Sequence, residues 1–571
     1  MDNKRLEPLK SLSCVFDTPM KKLLILLVFL LTQGLVNAQS TFIPYNRDYY
    51  HLIDRFQIKY GNSENLLQTT FKPLRRVDVS NFLLGMKDQY DSLSPQDQFN
   101  YQYLMNDNWD WTNSPYNEND KSWWDLMYAK KSDFLTYGAE NFTLRINPVI
   151  DFAVGNDPDV DRTLYTNTRG VEAQGMIDDK IGFYTFLTTT QTVFPNYVRD
   201  FILTKQAVPN EGFWKRDAEQ YDLTHARGYF TFNVTNSIDV QAGYDKKFIG
   251  HGLRSMVLSD FSSPFLFGQI NTRLGKFQYT NLFGQLTADI IFANPQSPGD
   301  GNYPRKYLSM HRLGVNVTKN LEIGVFETII SEEADINFFN PIVFYRAIEQ
   351  QRGSPHNALL GLDFSYNFMN KFQFYGQFIL DEFVIDALRS GDGDWRNKFG
   401  VQLGGKYIDA FDISNLDLQT EYNVARPYFY ASETPALSYT NYRNPLAHPL
   451  GANFKEFVLS ARYQPINKLY VTGKIIRSNF GEDENGLNYG GNLLNSTDDR
   501  IGNTGNTIGQ GVATTNTYVE LSGSYMLVQN LFVDLRTIYR NFDSALATRS
   551  ASSFITMLSL RWNLPQRQHE F

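Results

Sequence analysis

The sequence predicts an all-β fold: a transmembrane antiparallel β-barrel of about 18 strands, preceded by a small N-terminal helical segment. Three observations carry this. First, from Asn141 to Leu564 eighteen segments follow one another, and every second link is only a few residues. These tight links are Asp178-Asp179-Lys180, Thr235-Asn236-Ser237, Gly275-Lys276, Lys319-Asn320, Asn370-Lys371, Ile413-Ser414-Asn415, Pro465-Ile466-Asn467 and Gln529-Asn530. The links between them, such as 195–222, 332–357, 428–453 and 481–514, are mostly much longer and rich in Gly, Asn, Asp and Pro. Short turns on one rim, long loops on the other and an even strand count describe an outer-membrane barrel. Second, apolar residues inside the segments recur with period two. Third, aromatic residues make up 15% of the chain, enough to furnish girdles at two membrane interfaces. A helical membrane protein is excluded, because beyond residue 40 no window approaches the roughly 18 apolar residues a membrane-spanning helix needs.

Residues 1–38 read as a signal peptide. Met20-Lys21-Lys22 is a basic start, Leu23 to Leu31 an apolar run, and Val36-Asn37-Ala38 supplies small residues for cleavage before Gln39. Residues 1–19 fit poorly ahead of such a leader, so Met20 is a candidate true start. The one cysteine, Cys14, lies upstream of the cut. A mature chain without cysteine excludes disulfides, thiolate metal sites and a lipidated N-terminal cysteine. Net charge is -8, with basic and acidic residues intermixed, so nothing argues for nucleic acid.

Residues 39–139 read as a periplasmic helical or plug segment. Tyr49, Leu52, Ile53 and Phe56 share one face of a helix, with Asp54, Arg55 and Gln57 on the other side. A second helix starts at Asp78 as N-cap and aligns Phe82, Leu83, Met86 and Tyr90. A third opens on Ser94-Pro95-Gln96-Asp97: serine caps, proline suits the first helical position and aspartate favours the positive end of the dipole.

Residues 140–571 read as the barrel. In 416–424, Leu416, Leu418, Thr420, Tyr422 and Val424 face one way, and Asp417, Gln419, Glu421 and Asn423 the other. Residues 372–380 set Phe372, Phe374, Phe378 and Leu380 against Gln373, Tyr375 and Gln377. In 531–540 the polar face carries Asp534, Arg536 and Arg540. Lipid covers the apolar faces and a polar lumen receives the others. The closing strand is 554–564, and the tail Pro565 to Phe571 departs from the pattern. With the helices on the periplasmic side, the tight links are periplasmic and the long links extracellular.

No strong catalytic signal is present: the seven histidines are scattered, with no Gly-x-Ser-x-Gly elbow and no phosphate loop, and only a Ser/His site assembled across strands would escape this reading. The chain is therefore read as non-enzymatic, without cofactor or metal. Asp157, Asp159 and Asp161 alternate in the first outer loop, but the Gly and distal Glu of a calcium loop are missing. Two outer links join acids or amides to a ring: Gly299-Asp300-Gly301-Asn302-Tyr303, and Ser390 to Trp395 with Asp392 and Asp394. Rings cover the C–H face of a sugar while carboxylates and amides take its hydroxyls. The plainer reading of either loop is a solvated link with a girdle aromatic at its base. The stretch 482–513 is low in apolar residues and is read as mobile.

The block Gly243-Tyr244-Asp245-Lys246-Lys247-Phe248-Ile249-Gly250-His251-Gly252-Leu253-Arg254-Ser255-Met256-Val257-Leu258-Ser259-Asp260 resembles the strand-and-loop segment of the Wzi family of capsule-assembly outer-membrane proteins. Asn340 to Arg346 is a second, weaker match. The chain also resembles RemB-type gliding motility proteins. The resemblance implies a barrel of the cell outer membrane that binds or organises surface polysaccharide, with helices obstructing the lumen. Arg254 and Asp260 become candidate ligand contacts, beside Tyr303, Asp392, Asp394 and Trp395; an internal ion pair is the structural reading of the first two. The partners implied are membrane lipid, surface polysaccharide, and cell-surface or periplasmic proteins. A motility or adhesion role and a porin-type channel stay open as alternatives.

Overall fold

The computed structural model describes residues 39–61, 67–119, 127–212, 214–217, 220–288, 304–340, 344–345, 347, 356–382 and 384–571. The leader reading of residues 1–38, Tyr303 with the rest of 299–303, and most of the 340–346 match lie outside them. No helix among the described residues is long and apolar enough to cross a membrane.

The crossing is made by strands. In chain order they are β1 Phe142–Asn156, β2 Leu164–Ile177, β3 Ile181–Val193, β4 Gln220–Asn233, β5 Ile238–Asp245 and β6 Phe265–Leu274. Then come β7 Phe277–Thr287, β8 Arg305–Asn316, β9 Leu321–Ser331, β10 Asn357–Phe368, β11 Phe372–Glu382 and β12 Lys398–Tyr407. The circuit ends with β13 Leu416–Ala425, β14 Phe454–Ile466, β15 Leu469–Glu482, β16 Val512–Val528, β17 Leu531–Ser544 and β18 Ala551–Trp562. Each pairs antiparallel with the next, and β18 closes on β1 from Thr556↔Asn156 to Trp562↔Ile150. Closure leaves no unpaired edge, which a sheet in lipid requires. Below that seam a hairpin of 127–130 and Asp133–Ala139 pairs with the start of β1, from Leu135↔Ile146 to Ala139↔Phe142.

The alternation read from sequence is the one the wall uses. Asp417, Gln419, Glu421 and Asn423 are buried in the lumen, while Tyr422 is exposed on the outside. Gln373, Tyr375 and Gln377 point inward and Phe374 outward. Leu535 and Tyr539 face lipid, Asp534 and Arg540 the interior. Every outward apolar side chain needs no protein partner, because hydrocarbon covers it.

The tight links lie within a residue or two of where expected, the 465–467 link being 467–468, with one larger correction. The link read as 413–415 spans 408–415 and includes a short helical turn at Ala410–Asp412. Its extra length is used by the plug, since Asp409 accepts an ion pair from that segment.

Among the described residues three helices of ten or more residues precede the barrel, α1 Arg47–Tyr60, α2 Arg76–Gly85 and α3 Pro95–Asp107, followed by a single helical turn at Trp109–Thr112. Ser94 caps α3 through the Asp97 amide, as its sequence requires. Asp78 is not the cap of α2; it sits in the first turn, behind Arg75. The helices share a core of Ile53, Phe56, Val79, Phe82, Leu83 and Leu104.

Candidate functional site

Three segments enter the barrel, and each is fastened by polar groups on the wall. The first is the helical plug. Arg55 of α1 reaches Asp97 of α3 (2.8 Å), Asp409 (2.6 Å) and Asp417 of β13 (2.5 Å). Lys59 bonds Asp97 and Asp409, both at 2.7 Å, and His51 meets Asp417 at 2.9 Å. Lys406 of β12 pairs with Asp54 at 2.6 Å. Burial works against ionising Asp97, but hydrogen bonds and charge from Arg55 and Lys59 win and hold it at about 2. Burial likewise opposes the charge on Asp54; Lys406 and Lys72 overcome it, again to about 2. Further bonds join Asn100 to Gln464 (2.7 Å), Tyr103 to Asn530 (2.7 Å) and Asn106 to Gln529 (3.1 Å). These partners sit at or beside the tight turns, so the helical segment fills the rim of the barrel that carries them. The face of α1 carrying Asp54, Arg55 and Gln57 looks solvated in sequence, yet it is buried. No local signal distinguishes a docking charge from a solvated one.

The second insert is the link between β5 and β6, residues 246–264, which holds most of the block that resembles the Wzi segment. It crosses the lumen. Phe248-Ile249 pairs antiparallel with Phe71-Lys72 of the plug segment. The far wall receives it: Gln377 of β11 donates to the Ile249 carbonyl (2.9 Å) and accepts from the Met256 amide (2.7 Å). Glu421 of β13 accepts from the amides of Leu253 and Arg254. A Cβ on Gly252 would stand 2.5 Å from the Arg254 carbonyl and 2.9 Å from Gln402. Gly250 has φ +126°, and a Cβ there would lie 2.7 Å from Gln377. The glycines of the motif therefore allow the loop to lie against polar side chains of the opposite wall.

The third insert is the tail 565–571. It turns back into the lumen and buries Glu570 between Arg47, Arg254 and Lys474.

The outer mouth is covered from above by the long links. Tyr428, Phe429, Tyr430, Tyr439, Leu446 and His448 of link 426–453 are all buried. Tyr430 donates to the Met256 carbonyl and Tyr439 to that of Val257 (2.9 Å), so this lid rests on the inward loop. Link 483–511, expected to be mobile, is instead stitched to two neighbours. The Trp395 amide donates to the Asn503 carbonyl (3.0 Å), that of Gly505 to Asp392 (2.7 Å) and that of Tyr428 to Gly490 (2.9 Å). Hydrogen bonds to backbone hold most of it, with Leu493 as its buried apolar anchor, which is why composition gave little sign.

The candidate residues fall into two places. Arg254 and Asp260 are in the lumen but do not pair with each other: Arg254 bonds Glu456 (3.0 Å) and Asp260 bonds Arg47 (3.2 Å). Asp392, Asp394 and Trp395 lie together on the outer cap. Asp392 is exposed, and Trp395 is half-buried with the Arg500 guanidinium 4.2 Å from its ring and Tyr428 edge-on at 6.4 Å. Asp394 turns inward onto the Arg396 amide and side chain, whose hydrogen bonds hold its carboxyl below the usual range. Sequence reasoning missed Arg500 and Asn503, which only the meeting of two distant links brings to the tryptophan. Asp157 is spent on the Asn196 and Asp159 amides (3.0 and 3.2 Å). Among the described residues no group of three His, Cys, Asp or Glu side chains is arranged for a metal.

A family model described as "Capsule assembly protein Wzi" matches residues 183–543. Among solved structures, the chain is similar to Wzi of Escherichia coli, described as an outer-membrane protein involved in group 1 capsule assembly and a carbohydrate-binding β-barrel. Identity is 11%, TM-score 0.55, and the match covers 92% of this chain and 100% of that one. It is more distantly similar to OprD of Pseudomonas aeruginosa (10% identity, TM-score 0.42, 74% of this chain and 96% of that one). A BenF-like porin of Pseudomonas fluorescens matches at 9% identity and TM-score 0.41, over 74% of this chain and 99% of that one. No curated protein matches in sequence. The family match covers more than half of the chain and includes the inward loop, so the protein belongs to the Wzi family of capsule-assembly proteins of the outer membrane.

Proposed function

We propose that this barrel binds exported polysaccharide on its outer face and holds it at the cell surface, without catalysing a reaction on it. The observation that carries this reading is the cap. Links 384–397, 426–453 and 483–511 lock into one surface through backbone hydrogen bonds, with Asp392, Trp395, Arg500 and Asn503 together on it. A preformed polar surface bearing a ring suits a sugar, because little loop ordering opposes binding. Family membership and the carbohydrate binding described for the Escherichia coli relative support the same class of ligand. The three inserts and the lid argue for a holding role over permeation.

The test is binding of purified surface polysaccharide from the producing strain to the detergent-solubilised barrel, by glycan array or calorimetry. Trp395→Ala combined with Asp392→Asn is expected to weaken binding at least tenfold, while the barrel keeps its heat-modifiable migration on gels. Undiminished binding by that variant would move the site away from this cap. No glycan binding by the intact protein, together with an unchanged surface coat in a deletion strain, would remove the proposal. A spreading or adhesion defect in that strain would point to the motility role instead.

A further inference from the structure

The tail 565–571 behaves as a ligand of its own barrel. The Glu570 carboxylate, almost without solvent contact, accepts from Lys474 (2.7 Å), Arg47 (2.8 Å) and Arg254 (3.4 Å). These cations come from three separate parts of the molecule: the wall strand β15, the start of the plug helix and the inward loop. The charges around it explain why a carboxylate belongs there. The ion-pair network touching Glu570 contains four cations, Arg47, Arg254, Lys474 and Arg536, against three other carboxylates, Asp260, Glu456 and Glu520. Glu570 supplies the missing negative charge, and burying an uncompensated cation is costly. Burial opposes its ionisation, but Lys474, Arg47 and Arg254 outweigh that and keep it charged.

A route leads to this spot. Three adjoining cavities run along the tail from the plugged rim. The first two, each partly open to solvent, share Tyr45, Phe186, Arg227 and Gln566. The third, smaller, touches Arg47, Arg254 and Glu570. The first is lined by rings, among them Tyr49, Tyr103, Tyr184, Tyr470 and Phe532, interleaved with amides such as Gln174 and Gln464. Rings that cover C–H faces beside amides that take hydroxyls suit a saccharide better than an acidic peptide. The tail forms one wall of the route and fills its inner end. It is held by the Arg536 bond to the Arg567 carbonyl (2.8 Å), the Tyr197 bond to that of His569 (2.8 Å) and the Phe571 ring against Phe201 (4.5 Å between centroids).

We propose that Arg47, Arg254 and Lys474 form a second, lumenal site for the carboxylate of an acidic saccharide, closed in this state by the chain's own Glu570. The saccharide class rests on the function proposed above; the site, its charge and its occupant do not. Withdrawal of the tail exposes one unbalanced positive charge at the end of a ring-lined passage, and a uronate sugar replaces both the charge and the packing.

The experiment compares the full chain with a variant lacking residues 565–571, both in detergent, using oligogalacturonate and its fully methyl-esterified counterpart as probes. Folding is checked by heat-modifiable migration. The truncated barrel is expected to bind oligogalacturonate at least tenfold more tightly than the full chain, and the ester no better. Glu570→Gln in the full chain is expected to give a smaller gain of the same sign. Adding Lys474→Met to the truncation is expected to abolish the gain. A folded truncated barrel that binds the acid no better than the full chain, or binds acid and ester alike, overturns the proposal. Loss of outer-face glycan binding in the Trp395 and Asp392 variant concerns the other site and leaves this result unaffected.

Discussion

Asp97 and Asp54 show how single groups fasten a plug. Both have carboxyls lowered from 3.8 to about 2 by the cations they meet inside the barrel. A depressed carboxyl stabilises the docked state above its unfolded value, and that contribution disappears as pH falls through about 2. Each is worth about 2 kcal/mol by the size of its shift. Amide exchange of residues 47–107, corrected for intrinsic rates, is therefore expected to hold constant from pH 6 to 4 and to lose protection between pH 4 and 2. Protection unchanged down to pH 2 would show that these pairs do not hold the plug. Arg55 is the sharper case. Arg55→Met removes the one cation shared by Asp97, Asp409 and Asp417 and leaves them only Lys59 and His51, at a cost of roughly 3 kcal/mol. The expected readout is faster proteolysis within 39–119 with the barrel itself intact; cleavage at the wild-type rate would contradict it.

At the scale of elements, the inward loop of 246–264 is the least replaceable part. It meets the plug on one side, the β11–β13 wall on the other and the lid above. Gly252→Ala puts a methyl group 2.5 Å from a backbone carbonyl that cannot rotate away, so a cost of about 1–3 kcal/mol is expected. Gly268→Ala on β6, where a Cβ meets nothing within 4 Å, is the control. Heat-modifiable migration against temperature should separate the two; equal midpoints would mean that the loop relaxes freely. The loop's glycines, its single arginine and its apolar Met256-Val257-Leu258 run stand out in the sequence. Its direction does not, because a long outer link reads the same whether it rises into solvent or falls into the lumen.

For the whole molecule, an eighteen-strand wall encloses enough room for an aqueous pore. Here the room is taken by plug, inward loop and tail, with the lid above. The full chain is expected to show no steady open-channel current in planar bilayers. Deleting residues 39–119 alone is expected to leave conductance far below that of an unfilled barrel, since the loop and lid remain. A large, steady current from the full chain would restore the channel alternative.

Strand number, the sidedness of the links and the inward or outward direction of wall residues were all legible in the sequence. They follow from local rules: a period of two in each strand, and lipid demanding apolar side chains at every other position. The capped start of α3 was legible for the same reason. The contents of the lumen were decided only by tertiary structure. Arg55 meets Asp417, Trp395 meets Asn503, and Glu570 meets Lys474, Arg47 and Arg254, across separations that leave no periodic trace. A charge destined for a buried partner is written in the chain with the same letter as one destined for water, and only closure of the barrel distinguishes them.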